Sequence, residues 1–468
     1  VSRYDEYLLT PAPGHSLAQP LANRDILRLY WPLALSWLFM SIETPTAIWV
    51  ISRMADAKEN TAGYLIMSSL AIWIESPVID LLATSTTLAK SRAGLSIIRR
   101  FASWMILWVT LAHTLVSCTP VYDWLMGSVI GLPPDMLEKI RVPFILMIPW
   151  SGFIGWRRYL QGLMIGAGQT RAISVGTFVR FGTMLGVGVG LYMLQGTLPL
   201  SGLAVAAIAL VCSVAAESLF ISFASRDAVS SLSRLSDDGS KPVTLRKVVS
   251  FHMPLTIATM VMMLSTPAVG AALARTPDSV QSLAAWQVAI TLLGLLRAVT
   301  FALNEVVIAL NRDEAGRRAL MRFCLATGAS LTMAAAALHV TGIDYWVFHA
   351  FLRAKPDVAE LARHALLASC LIPTINAMMV YYRGLLTSIH ETVARMRAIF
   401  AGIGVLVFCL VWSVSMRWPG IYVAAFALTT GMLVELVTLA LSWRVSINRR
   451  SKGLKGHGQQ PLHGFSSE

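Results

Sequence analysis

Apolar positions along this chain do not alternate with polar ones. They gather into blocks of roughly twenty or more residues, the length an α-helix needs to cross a hydrocarbon core of about 30 Å. A transmembrane barrel would instead show alternating segments of about ten residues, so the pattern predicts helices. Twelve spans are expected, at about 27–52, 62–88, 101–121, 140–162, 174–195, 199–225, 248–273, 282–309, 321–348, 362–388, 398–416 and 419–443.

The spans repeat. Pro32-Leu33, Thr44-Pro45 and Arg53 match Pro254-Leu255, Thr266-Pro267 and Arg275, each 222 residues further on. The same offset pairs Lys90 with Arg312, Arg100-Phe101 with Arg322-Phe323, Pro134-Asp135 with Pro356-Asp357, and Gly162-Leu163 with Gly384-Leu385. Near the end it slips to 218 and pairs Glu217 with Glu435 and Arg226 with Arg444. A register held over nearly the whole of each half marks a duplication. Six spans is an even number, so both halves enter the membrane in the same sense, as parallel repeats about an axis along the membrane normal.

The expected fold is therefore an all-α membrane protein with twelve transmembrane helices in two parallel six-helix lobes around a central cavity. The division expected is an N-terminal tail at 1–26, a first lobe at 27–225, a linker at 226–247, a second lobe at 248–445 and a disordered tail at 446–468. The linker is polar (Ser230-Ser231, Asp237-Asp238-Gly239, Lys241-Pro242), and His457 and His463 in the last tail read as solvated residues rather than metal ligands.

Composition agrees. Charged residues make up 13% of the chain, where a globular protein carries about 25%. The net charge of +13 does not indicate nucleic acid, because the basic residues sit at span ends and in short loops. Of the 38 Lys and Arg, nine fall on one side and two (Arg180, Arg297) inside spans; the rest lie in the N-terminal tail, the even-numbered connections and the C-terminal tail. That bias places both termini in the cytoplasm of a protein expected in the cell's inner (plasma) membrane. The five cysteines have no CxxC spacing and lie in or beside apolar spans, so neither a disulfide framework nor a zinc site is implied. There is no Walker phosphate loop, and the GxG pair at Gly166–Gly168 follows a helix rather than a strand. No enzyme site, metal or cofactor is expected.

The candidates for function are ionisable residues inside spans, each costly in the membrane unless it faces protein or water. Glu43 stands beside Thr44-Pro45 in the first span; Glu75, Pro77 and Asp80 occupy the second; Arg297 and Asn304-Glu305 occupy the eighth. Asp80 and Glu305 are expected to line the cavity and bind substrate or a coupling ion; the alternative is that each caps or pairs with a buried polar neighbour. Glu75 and Arg297 are related by the repeat offset of 222, so they should sit at matching depth on opposite sides of the axis, as a reversible charge pair between the lobes or each with a partner in its own lobe. Pro45 and Pro267 share a repeat position, and each should bend its helix, as a static kink or as a hinge between states. Glu217 and Glu435, present in both halves, suggest a structural role within each lobe. Six intramembrane acids set against two arginines would suit protons, sodium or cationic drugs.

The opening Tyr30-Trp31-Pro32-Leu33 of the first bundle, and Arg246-Lys247, Ser250-Phe251 and Pro254-Leu255 of the second, resemble the multidrug, oligosaccharidyl-lipid and polysaccharide (MOP) exporter superfamily. Within it, these segments together with Pro77-Val78-Ile79-Asp80 and Leu303-Asn304-Glu305-Val306 are most similar to the progressive ankylosis-type proteins. The resemblance implies a V-shaped pair of lobes, alternating access, and export of a small organic anion such as citrate or a phosphate compound. A proton- or sodium-coupled multidrug exporter is the alternative. A lipid-linked sugar flippase would want a basic cavity, which a count of two intramembrane arginines does not offer. The partners expected are a small-molecule substrate, the lipid bilayer and a coupling proton or sodium, with the chain working as a monomer and without nucleic acid.

Overall fold

A computed structural model describes residues 23–169, 171–234, 243–311, 313–389 and 391–457. The tail up to Ala22, the linker motifs Asp237-Asp238-Gly239 and Lys241-Pro242, Arg312 and His463 lie outside the described residues, as does the side chain of His457. All regular structure among the described residues is helical.

Ten helices are long and apolar enough to cross a membrane, and an eleventh crossing is the pair Pro356–Ala368 and Ile372–Ser388, bent by 44°. The pair Pro134–Leu146 and Ile148–Gly166 holds the repeat-equivalent place in the first half. The ten long helices, the bent pair and its counterpart in the first half are consistent with the twelve expected spans of a multi-pass membrane fold. Both breaks precede a proline, Pro149 in one half and Pro373 in the other, whose missing N–H removes a helix hydrogen bond. Some helices run beyond the apolar blocks. Span 3 begins at Arg92 rather than near 101, because Ser91 caps it by accepting from the Gly94 amide at 3.1 Å. Its counterpart, span 9, begins at Glu314 rather than near 321, capped in the same way by Asp313 on Gly316 at 2.7 Å.

Spans 1 and 7 tie the lobes together. Span 1 breaks at Ile42, between Asn23–Ser41 and Glu43–Ile51; span 7 breaks at Leu264, between Leu245–Met263 and Ser265–Leu273. Each break lies three residues before the shared proline, Pro45 or Pro267, and the two pieces still form one crossing, Asn23–Ile51 or Leu245–Leu273. The first half of span 1 packs mostly on spans 8 and 9 of the other lobe, while its second half packs on spans 5 and 6 of its own. Span 7 does the reverse, its first half packing on spans 2 and 3 and its second on spans 11 and 12. Repeat symmetry carries down to single rings. Tyr30 meets Phe323 edge-on with centroids 5.3 Å apart, and His252, its repeat equivalent, meets Phe101 at 5.0 Å. The His252 ring also lies between the Thr84 hydroxyl at 2.8 Å and the carbonyl of Pro77 at 3.0 Å, both in the opposite lobe.

Candidate functional site

The break in each first span opens onto one repeat address inside its own lobe, and the two addresses are furnished differently. In the first lobe, Glu43 starts the second half of span 1 and is gripped by Arg180 of span 5, whose Nη2 lies 2.5 Å from Oε2 and whose Nε contacts Oε1. Glu217 of span 6 accepts from Arg157 Nη1 at 2.9 and 2.8 Å and from Gln161 Nε2 at 3.3 Å, with Arg180 Nη1 3.7 Å away. Arg157 and Glu217 are nearly inaccessible, their side chains 4% and 1% exposed. Glu75 is buried beside this cluster, with Arg157, Arg180 and Arg158 as its charged neighbours. Its Oε2 has no hydrogen-bond partner. Three glutamates and three arginines therefore share one small volume, and the cavity left among Glu43, Arg157, Arg180 and Glu217 is about 40 Å³.

In the second lobe Ser265 stands where Glu43 stands in the first, Trp286 where Tyr64 stands, and Arg297 where Glu75 stands. Ser265, Thr266, Trp286 and Arg297 line a cavity of about 140 Å³. Among the described residues Arg297 is in no ion pair; it lies over the Phe301 ring at 5.4 Å, and its charged neighbour is another cation, Arg383. Arg383 is itself committed to Glu435, its Nε 3.0 Å from Oε1. Chemically the first address is neutralised from within. The second presents a guanidinium and the Thr266 hydroxyl to an open space, with the Ser265 hydroxyl donating to Met262 O at 3.0 Å beside them; the free guanidinium suits a carboxylate or phosphate.

The sequence candidates are not all brought together. Glu43 and Glu75 share the first-lobe cluster, and Arg297 lies across the seam in the second. Asp80 sits at the end of the long half of span 2, half-buried, facing the Thr259 hydroxyl of the other lobe, with Oδ2 unpartnered. Asn304 is half-buried and Glu305 exposed on the short segment Leu303–Leu310 that ends span 8. Glu75 and Arg297 form no ion pair in this conformation; each faces the charges of its own lobe.

Arg157, Arg158 and Arg383 correct the count of two intramembrane arginines. All three lie on the second pieces of broken spans 4 and 10 and turn into the lobe interiors. Each lies near the end of an expected span, 140–162 or 362–388, just before a basic connection, and so reads with the charges of that connection. The signal that could have revealed them was the repeated Glu217 and Glu435, since a buried carboxylate present in both halves calls for a cation in each.

On the face opposite the basic loops the two lobes are joined by backbone. Short π-helical turns, Trp124–Ile130 in one lobe and Trp346–Phe351 in the other, end with carbonyls that lack helical partners. Arg275 donates from Nη2 to Ser128 O at 3.0 Å and Val129 O at 2.6 Å, and from Nη1 to Ile130 O. Arg53 donates to Phe351 O at 2.9 Å while stacked on Trp49 at 3.8 Å. Arg53 with Arg275, and Val129 with Phe351, are repeat equivalents, so each lobe offers one arginine to the other's turn. Lys58 and Asp357 add an ion pair across the same seam at 3.1 Å.

No family model matches the sequence, nor does any curated protein. Its fold is similar to solved structures. A multidrug resistance MATE family transporter of the MOP superfamily in an inward-facing conformation aligns with a TM-score of 0.65 at 13% identity, covering 90% of this chain and 99% of that one. A MOP superfamily transporter from Pyrococcus furiosus, described as having a binding pocket of reversed polarity, gives 0.64 at 14% identity over 90% and 95%. The lipid II flippase MurJ in an inward closed conformation gives 0.65 at 12% identity over 90% and 88%. At these identities the likeness establishes the MOP-type fold of two six-helix lobes.

Proposed function

We propose that this protein is a secondary-active transporter that exports a small organic anion, citrate or a phosphate compound, by alternating access, with Arg297 as its anion-binding residue. The observation that carries the reading is the second-lobe cavity, where a guanidinium with no acidic partner among the described residues stands beside Ser265 and Thr266. An arginine so placed costs about 2.5–3.5 kcal/mol near the membrane centre. A visiting anion would offset that cost. The resemblance of the short segments to progressive ankylosis-type proteins supports the same substrate class, and a pocket of reversed polarity has been described for the P. furiosus relative in fold. The arginine contacts across the seam support alternating access, since they close the face opposite the basic loops by hydrogen bonds that can be broken and remade. Both termini are then cytoplasmic, in the inner membrane, and one chain suffices.

A proton- or sodium-coupled multidrug exporter is the second reading. It is favoured by the unpartnered carboxylate oxygens of Glu75 and Asp80, either of which could take a coupling cation. Proteoliposomes loaded with labelled citrate separate the two. Citrate flux well above empty liposomes, falling about tenfold or more in Arg297→Gln and recovering in part in Arg297→Lys, is the expected result. Flux of a cationic dye but not of citrate, or citrate flux unchanged by Arg297→Gln, would overturn the anion reading.

A further inference from the structure

A second site lies outside the lobes' interiors, on the lateral surface of the first lobe at the end that carries the basic loops. Spans 3, 4 and 6 and the short amphipathic helix Arg226–Ser233 enclose a groove of about 930 Å³. Four arginines line it, Arg92, Arg99 and Arg100 from the start of span 3 and Arg226 from the short helix. No carboxylate does, and among the described residues none of the four is in an ion pair. Four cations brought to one groove without a counter-charge repel one another, and an anion that enters relieves that repulsion.

The chemistry changes along the groove in one direction. Below the arginines, the same exposed stripe of span 3 continues through Trp104, Leu107, Trp108 and Leu111, which are 52%, 47%, 64% and 50% exposed at helical spacing. Eleven residues separate Arg100 from Leu111, about 16 Å at 1.5 Å per residue. That is close to one leaflet's half of a hydrocarbon core of about 30 Å. Trp156, on the opposite wall, donates its indole N–H to Ser222 at 3.0 Å, as expected of a tryptophan at the membrane interface. A free phosphate would satisfy the arginines but leave the apolar half of the groove without an occupant. A neutral lipid would do the reverse.

We propose that this groove binds an anionic phospholipid of the leaflet on the basic face, its phosphate held by Arg99, Arg100 and Arg226 and one acyl chain lying along Trp104 and Leu107. Basic pockets at the interfacial ends of membrane helices take headgroups in this way. The site is separate from the Arg297 cavity, and its occupancy does not depend on what the protein transports.

Native mass spectrometry of the delipidated full-length protein tests the proposal. It is titrated with phosphatidylglycerol, with phosphatidylcholine of the same acyl chains, and with inorganic phosphate. Retention of one phosphatidylglycerol at concentrations where phosphatidylcholine and phosphate are not retained is expected. Arg99→Gln with Arg100→Gln should weaken that retention about 25-fold, at roughly fivefold for each arginine near a membrane surface. Arg99→Lys with Arg100→Lys should keep most of it. Equal retention of the two lipids, retention of inorganic phosphate alone, or full retention by the double glutamine variant would overturn the proposal. Should that variant not fold, Arg226→Gln, on a different helix, must lower retention about fivefold or the proposal fails.

Discussion

The same repeat address in the two lobes holds opposite chemistry. In the first lobe Glu43, Glu75 and Glu217 neighbour Arg157, Arg158 and Arg180, and the cavity of about 40 Å³ left there is lined by Glu43, Arg157, Arg180 and Glu217. In the second lobe Glu435 faces Arg383 and Arg395, and Arg297 stands unmatched beside about 140 Å³ of space. Both lobes keep the feature that holds a lobe together, a sixth-span glutamate bonded to an arginine of the fourth span. They differ in what is added to it. Duplication supplies two copies of the scaffold, so one copy can lock its charges while the other leaves a cation without an acidic partner.

The largest effect should come from the shared pair. Replacing Arg157 with Gln leaves Glu217 buried with Gln161 and with Arg180 at 3.7 Å, itself held by Glu43, and breaking such a pair costs about 3–5 kcal/mol. Thermal unfolding in detergent should show a large fall in Tm, or no folded protein at all. Arg383→Gln should cost less, because the Arg383 and Glu435 side chains are 17% and 9% exposed and water can compensate part of the loss. Equal falls in the two variants would mean that the lobes do not differ in this respect.

Next comes an exchange of furniture between the addresses. Ser265→Glu builds the counterpart of Glu43 beside Arg297 and should give that arginine a permanent partner. Anion flux is expected to drop tenfold or more while Tm holds, since the new charge is paired rather than orphaned. A drop in Tm with unchanged flux would place the anion elsewhere.

Reversing the pair Glu75 and Arg297 tests the comparison across the seam. Arg297→Glu should lower flux at least tenfold, as Arg297→Gln does, and Glu75→Arg should lower it severalfold. The double variant Glu75→Arg with Arg297→Glu should do no better than the worse single one, because each residue answers to its own lobe's charges here. Partial recovery would show that the two meet in another state of the cycle.

How far this comparison was legible in the sequence depends on what carries it. Apolar block length and the offset of 222 residues were enough for the spans and the parallel duplication. The repeat register also pairs Arg53 with Arg275 and Glu75 with Arg297 in the linear chain. What the register does not contain is direction. Arg157, Arg158 and Arg383 turn inward on pieces whose spans are broken about three turns earlier, and breakage shifts which face a residue presents. The Arg53 and Arg275 contacts were hidden for another reason. Their partners are backbone carbonyls, which carry no residue identity, and only the three-dimensional meeting of each arginine with the other lobe's turn reveals them.

Those contacts are themselves unequal, and the inequality gives the finest test. Arg275 donates to three successive carbonyls of the opposite lobe, where Arg53 donates to one. The difference follows from one position in the repeat. Gly131, in the left-handed conformation with φ of 87°, ends the first turn, and a Cβ there would come within 3.1 Å of the Arg275 guanidinium carbon. Its equivalent is Arg353, left-handed at φ of 50°, which lies near Arg53 and repels it. A hydrogen bond from a charged donor is worth about 1.5–3 kcal/mol, and exposure to water reduces that at this surface. Arg275→Gln should therefore loosen the seam more than Arg53→Gln, raising labelling of a Val129→Cys reporter by an impermeant maleimide several-fold against about twofold. Arg353→Gly should tighten the weaker side and lower labelling of a Phe351→Cys reporter. The opposite order of the two arginine variants would mean that Lys58 and Asp357, and not the carbonyl contacts, hold this face closed.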